Sequence, residues 1–575
     1  MLFSPRSKYR TVCLMASACR TSIKKIEIKI GKFFFMNVSS LLKNKMSSVS
    51  RSILLGVLCL SYSINSYARE MNILTKGAVS DSLTLNTHII QSAIDELSLE
   101  GGGTVVVPAG KFSTGPLHLK DNVELHLKTG AVIYGSTDAK LYQRGSSWRA
   151  WALINARGQK NVSVTGNGTI NGLGDAEVWR RGDNAGGRPN IIYFLECENV
   201  LVDGVTMTNA ALAVSDFQSC NYVRINGVKI YSYGNHNNDG IDIDSSNVVV
   251  SNCIIESEDD ALCFKSNRDD RPSENITVTN CVLASNCNGI KFGTTSRIGF
   301  KNITVTNCVI KRPAEDNFRH WDKKIEGVDS GKTVISGLAL EVVDGGVMDQ
   351  ILISDIIMDG VQTPIFIKLG DRKRPDGTPG ELKNIQINNI IARNASLISS
   401  SITGYPGNNI QNVKISNVDI TYKGGGTEEQ YERVVPENEK DYPENRMFGH
   451  SLPAYGFFIR HVENITLQSI QMRTVSEDLR PAFWLDDVSG GEFSDIQLLN
   501  AGKSVAGFAM KESEGILVKN SLYNGQSDSF VKMIGGELSG ITILNNVLLR
   551  SKSIFSENQP VSKNWFEQGN VFLKR

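Results

Sequence analysis

The sequence lacks closely spaced cysteines, apolar runs of bilayer length and, over most of its course, any helical periodicity. Ten cysteines occur in 575 residues, yet no two form a CxxC pair, so no structural zinc site is indicated. Three of them precede residue 69. The remaining seven are an odd number, so a full disulfide set is not expected either. The apolar run Ile53–Leu60 is too short to span a bilayer. Arg51 precedes it and Ser66-Tyr67-Ala68 comes after it, the pattern of a secretory signal peptide with cleavage expected after Ala68. The expected location is periplasmic or extracellular. Leu58 before Cys59 argues against lipidation, and the unpatterned basic stretch ahead of Met46 fits a misplaced start codon.

Net positive charge is also missing once residues 1–68 are set aside. The whole chain stands at +1, but that segment carries 11 of the 61 basic residues and 1 of the 60 acidic ones. Residues 69–575 are near −9, which argues against a nucleic-acid partner. No cofactor is indicated, and a monomer is expected.

The chain has one repeated phrase in abundance. It reads NVSVTGNGTI at 161, NVLVDGVTMT at 199, NVVVSNCIIE at 247, NITVTNCVLA at 275 and NITVTNCVIK at 302, and continues as NIQINNIIAR, NVKISNVDIT and NITLQSIQMR. Each phrase alternates as a strand does, breaks at a polar turn of Asn, Asp or Gly, and resumes as a second short strand. Repeats of roughly 22–30 residues without helices between them predict a solenoid of β-coils, a parallel β-helix. Cys253, Cys281 and Cys308 fall in one slot of successive phrases, as an interior ladder of small apolar residues would. The Asn-x-Thr triplets read as turn chemistry leading into strands rather than as glycosylation sites.

One helix precedes the repeats. NTHIIQSAIDELSLEGGG places Ile90, Ala93, Ile94 and Leu97 on one face, with Asn86 or Thr87 as cap and Gly101–Gly103 as terminator. Such a helix can cover the open end of the solenoid. The longest interruption, residues 421–455, is polar and aromatic-tipped, and it is expected to leave the solenoid as a loop that walls one end of a cleft.

Stacking the coils by their apolar alternation aligns Gly240–Asp244 with Ala261–Lys265, Gly289–Gly293 and Gly337–Glu341. Asp239, Asp260 and Asn288 then form one column at the entry to these strands, with Asp259 one residue earlier. Carboxylates packed that closely cannot all ionise, which supplies an acid and a base side by side. Asp242 and Asp244 are expected to point outward on their strand, Asp242 over Cys263 and Lys291, Asp244 over Lys265. Each Asp alone could be ordinary turn chemistry; their grouping over consecutive coils favours catalysis.

These residues give the chain its resemblance to glycoside hydrolase family 28, the polygalacturonase and rhamnogalacturonan hydrolase family. The opening GGGTVVVPAGKFSTGPLHLKDNVELHLKTGAVIYGSTD (101–138) is similar, Asn237-Asn238-Asp239 matches the family's Asn-Thr-Asp, and Asp259-Asp260 matches its Asp-Asp. The resemblance implies an all-β, right-handed parallel β-helix and inverting hydrolysis of a pectin-type bond. Asp259 would be the general acid, and Asp239 with Asp260 would activate water. Asn237, Asp242, Lys265, Asn288 and Lys291 would contact the sugar, with no metal. Two departures stand out. The Gly-His-Gly motif reads Cys287-Asn288-Gly289, and the cationic Arg-Ile-Lys clamp reads Ala339-Leu340-Glu341. Either Lys265 and Lys291 hold the galacturonate carboxylate, or the sugar there is neutral. His236, His450 and His461 are the histidines near enough in sequence to matter, and packing roles are expected for them. Two other readings remain open: a non-catalytic carbohydrate-binding β-helix, and a lyase with Ca²⁺ on Asp239, Asp242 and Asp244.

Overall fold

The structure is a computed structural model that describes residues 69–142, 152–180, 187–314, 334–372, 377–449, 451–500, 502–535, 537–555 and 564–573. The expected signal peptide and His450 lie outside the described residues. From Arg69 onward the chain forms one compact unit.

Strands dominate that unit. They pair in parallel, each coil hydrogen-bonding the coil one turn before and after it. The pairings run as three ladders; the one called the first sheet stacks Ile241–Ile243, Leu262–Phe264, Ile290–Phe292 and Leu338–Leu340. The alternation of each strand sends every second side chain into a single continuous core. The register matches the sequence alignment: Ile241, Leu262, Ile290 and Leu338 stack, as do Ile243, Phe264, Phe292 and Leu340. Phe264 and Phe292 lie ring on ring at 4.3 Å in the interior.

The polar turns between sheets explain the asparagines. Asn161, Asn199, Asn247, Asn275, Asn302, Asn384 and Asn412 all adopt left-handed backbone, with φ between 55° and 58°, where Asn is among the few tolerated L-residues. Their amides link coil to coil, for example Asn199 Nδ2 to Asn161 Oδ1 at 2.7 Å and Asn302 Nδ2 to Asn275 Oδ1 at 3.0 Å. Asn275 and Asn302 open Asn-x-Thr triplets, each at a left-handed kink inside a strand. Cys253, Cys281 and Cys308 are buried free thiols. The Cys308 slot is filled by Ile356, Ile390, Val418 and Ile470 in later coils.

Helix α1 (Thr87–Leu99) buries Ile90, Ala93, Ile94 and Leu97 against the first coils. Asn86 occupies the cap position without capping. Its amide ties the preceding segment through Val79 N–H at 2.7 Å and the carbonyls of Val79 and Thr84. The long interruption runs between strands ending at Tyr422 and beginning at Phe457. It carries a helical turn, α2 (Glu428–Tyr431), with a Thr427/Gln430 capping box. No helix among the described residues is long and apolar enough to cross a membrane.

Candidate active site

One outward-facing column on the first sheet organises the site. In register it reads Asn155, Tyr193, Asp216, Asp242, Cys263 and Lys291, then Ala339, Phe366, Ser401, Phe458, Trp484 and Ala509. It changes from polar to mainly apolar between Lys291 and Ala339. The apolar stretch is not bare. Tyr431, Phe448, Leu452 and Ala454 of the 423–456 loop pack on Ala339, Phe366, Phe458, Trp484 and Ala509.

Polar tethers hold the loop there. The Arg460 guanidinium donates to the carbonyls of Val435 at 2.9 Å and Pro436 at 2.8 Å, and pairs with Glu437 at 3.0 Å. Asn445 donates to Ile335 O at 2.8 Å. Arg480, wholly buried, donates to Leu452 O at 3.1 Å and is held by Asp478 at 2.7 Å. The loop thus folds back as a wall over the outer face.

The carboxylates lie just before that wall. The backbone ladder continues through the corner, Gly240 N–H to Asp260 O at 2.8 Å and Ala261 N–H to Asn288 O at 2.9 Å, so Asp239, Asp260 and Asn288 do stack. Gly240 and Gly289 permit this close passage; a Cβ on Gly240 would meet Ala261 O at 2.4 Å and one on Gly289 would meet the Ile310 side chain at 2.8 Å. Asp239, Asp259 and Asp260 are all buried. Facing oxygens of Asp239 and Asp260 lie within 4.8 Å, as do those of Asp259 and Asp260.

Each carboxylate has a different environment. Asp259 accepts from Asp260 N–H at 2.9 Å and from Asn237 Nδ2 at 3.3 Å. Burial, then the charges of Asp239 and Asp260, push its carboxyl up to about 7, against the pull of Lys291 and Lys265. Asp260 is buried too, yet Lys291, Lys265 and the Asn288 amide hold it below the ordinary carboxylate value. Lys291 Nζ is 3.3 Å from its Oδ2, and Asn288 Nδ2 donates to its Oδ1 at 2.7 Å. Asp239 pairs with Lys265 at 3.0 Å. Two carboxyls adjacent in sequence are therefore driven in opposite directions.

Lys265 does not stay under Asp244. The ladder slips after Phe264, and the ammonium lies between Asp239 and Asp242, 3.5 Å from the latter. Asp244 instead accepts from Asn267 N–H at 2.9 Å and Nδ2 at 3.2 Å, and burial raises its carboxyl to about 6. Asp242 and Asp244 are outward on the strand as expected but buried beneath their neighbours, not exposed. Asp239, Asp242 and Asp244 thus do not converge as a set of cation ligands. Asn237, Lys265, Asn288 and Lys291 are each drawn onto a catalytic-candidate carboxylate.

Three contributors had no signal in the repeat. Arg188, buried, donates to Asn237 Oδ1 at 3.0 Å and to the Ala211 and His236 carbonyls, fixing the left-handed turn that presents Asn237 to Asp259. Tyr442, from the loop, places its hydroxyl 3.3 Å from Lys291 Nζ. Arg372 lies over the same ring at 5.5 Å and is gripped bidentately by Asp344 at 2.9 and 2.7 Å. Glu341, at the position of the expected clamp, is buried 3.9 Å from Lys291, and burial raises it to about 8 despite that lysine. His236 bonds the Asn235 side chain, and His461 joins Asp487 at 2.6 Å and Glu437 at 3.2 Å at the loop base.

The fold and site define a class: a parallel β-helix with an acidic cluster on one sheet. The profile described as Glycosyl hydrolases family 28 matches residues 101–439, a span that contains the entire cluster. The chain belongs to that family. It is 33% identical over 234 residues to a "Probable polygalacturonase" of Vitis vinifera, covering 37% of this chain and 47% of that protein. Against the "Exo-poly-alpha-D-galacturonosidase" of Dickeya chrysanthemi it is 27% identical over 257 residues, covering 34% and 42%. The chain spans about half the length, or less, of these curated relatives. Among solved structures it is similar to an exopolygalacturonase from Thermotoga maritima, at 22% identity and a TM-score of 0.53, covering 70% of this chain and 91% of the other. That likeness shows the expected right-handed parallel β-helix.

Proposed function

We propose that this protein is a secreted glycoside hydrolase that cleaves a pectin-type bond by acid/base catalysis with inversion. The observation that carries the reading is the split between Asp259, raised to about 7, and its neighbour Asp260, held down by Lys291 and Asn288. Near neutrality one can give a proton to the glycosidic oxygen while the other stays ionised. Inversion needs room for a water between acid and base, about 6.5–9.5 Å between carboxyl groups. Asp259 and Asp260 approach more closely than that. Both oxygens of Asp260 are also engaged, by Asn288 and Lys291. The attacking water therefore belongs to Asp239, whose Oδ2 is steadied by Lys265, with Asp260 adding negative charge behind it.

The wall formed by the 423–456 loop supports action at a chain end, because the outward column is covered from Ala339 onward. Digestion of a panel of pectic polysaccharides and oligosaccharides with product analysis tests the reading. Small products released from chain ends are expected, with loss of activity in Asp259→Asn at unchanged fold. Full activity in that variant, or no product from any pectic substrate, would overturn it.

A further inference from the structure

If the site is a pectin hydrolase, the reading on which this inference rests, the walled end of the cleft selects among sugars by charge. Lys291 is the cation on the outward column nearest the wall, and its charge is already taken. Buried between coils, its Nζ faces Asp260 Oδ2 at 3.3 Å, Glu341 Oε2 at 3.9 Å and the Tyr442 hydroxyl at 3.3 Å. The next residue of the column is Ala339. Arg372 is committed to Asp344 on both arms. Lys368 is buried and donates to the carbonyls of Gly404 and Glu437. Each of these cations is thus matched before a substrate arrives, and carboxylates outnumber the cations around Lys291.

Among the described residues, a sugar carboxylate at this place would find no unmatched cation to pair with and two acids beside it. A hydroxyl-bearing neutral sugar meets a better surface. Tyr442 is 50% exposed, so the part of its ring not covered by Lys291 and Arg372 is open to sugar C–H groups. Its hydroxyl accepts from Lys291 and keeps its own proton to donate. Glu341 Oε2 is buried and makes no hydrogen bond, an arrangement that a ligand hydroxyl relieves. Glu341 serves in either state: ionised it accepts from a hydroxyl and repels a uronate, protonated it donates.

We propose that Glu341, Lys291 and Tyr442 form a specificity subsite for a neutral sugar, so that the preferred substrate places a residue without a carboxylate against the loop wall. Among pectic chains, that selects a backbone alternating uronate with a neutral deoxyhexose over one made of uronate alone.

Calorimetric titration of the full chain carrying Asp259→Asn, which slows turnover, reads this directly. The probes are an all-galacturonate tetrasaccharide and one alternating galacturonate with rhamnose. The alternating chain is expected to bind about tenfold tighter. At about pH 9, above the raised value of Glu341, Glu341→Gln, which keeps shape and removes charge, is expected to reduce that preference to about threefold, and Tyr442→Ala to weaken the alternating chain alone by about tenfold. Circular dichroism checks that each variant folds. Equal or tighter binding of the all-uronate chain overturns the proposal, and so does binding of neither. Because the readout is affinity, it stands apart from hydrolysis. Wild-type protein that binds the alternating chain but never cleaves it contradicts the hydrolase reading and leaves the subsite intact.

Discussion

Lys291 Nζ lies 3.3 Å from Asp260 Oδ2, with both groups buried and on successive coils. The pair explains how Asp260 can remain ionised within reach of two other carboxylates. Removing the cation in Lys291→Met is expected to raise the Asp260 carboxyl, move the acid limb of the pH–rate profile upward and lower kcat about 100-fold. Breaking a buried pair also costs about 3–5 kcal/mol of stability. The pH profile separates the two effects, since lost stability alone would leave the acid limb in place.

The pH dependence of activity comes from the same split. Asp259 acts as an acid only when protonated, so activity is full below about 7 and falls as pH rises through it. Asp260 must be ionised as well, and Lys291, Lys265 and the Asn288 amide favour that state. Measuring kcat/KM from acid to alkaline pH should give a bell with its alkaline limb near 7. An alkaline limb absent or far above that value would contradict the assignment of Asp259.

Stability should vary with pH in the same sense. The folded-state carboxyls of Asp259 and Glu341 are raised, to about 7 and about 8, relative to their unfolded values near 4. The protonated forms favour folding. Their contribution is complete below the unfolded values and is lost as pH rises through the raised ones. Thermal unfolding is expected at a lower midpoint at about pH 9 than at about pH 6. An unchanged or higher midpoint at alkaline pH would count against these burial effects.

The wall depends on Asp478. Its carboxylate holds Arg480, which in turn anchors Leu452 O at one end of the loop and Leu397 O in the solenoid. Asp478→Ala leaves a buried, uncompensated guanidinium, and about 3–5 kcal/mol of stability should be lost. Denaturant titration measures this, and a loss below about 1 kcal/mol would show that the arginine finds other partners.

Shortening the loop tests what it blocks. Replacing residues 428–454 with a short Gly/Ser linker removes Tyr431, Phe448, Leu452 and Ala454 and bares Phe366, Phe458 and Trp484, which the loop now covers. Internal cleavage should rise, seen as a larger viscosity drop per new reducing end, together with lower solubility. An unchanged ratio would mean that the cleft is closed elsewhere.

The repeat made much of the fold and site legible. A one-residue slip would turn every apolar side chain outward, so the alternation in GIDID, ALCFK, GIKFG and GLALE fixes which residues stack. The observed register of Asp242, Cys263, Lys291 and Ala339 obeys that rule. Where alternation stops, so does legibility. Lys265 leaves the ladder at an irregularity and reaches back to Asp239, which no periodic pattern encodes. Tyr442 arrives from a loop 151 positions beyond Lys291, and Arg188 from a segment whose partners are carbonyls. Glu341 is buried 3.9 Å from Lys291, a contact that strand alternation alone does not reveal. That placement puts a buried acid beside Lys291 where the family's clamp would be cationic.

The anomeric form of the first product tests the central claim most directly. Proton NMR during early hydrolysis of a pectic oligosaccharide should show the anomer opposite to that of the cleaved bond, with neither anomer formed by Asp259→Asn. Initial release of the retained anomer, an unsaturated product absorbing in the near ultraviolet, or undiminished turnover by Asp259→Asn would contradict acid/base inversion by these aspartates.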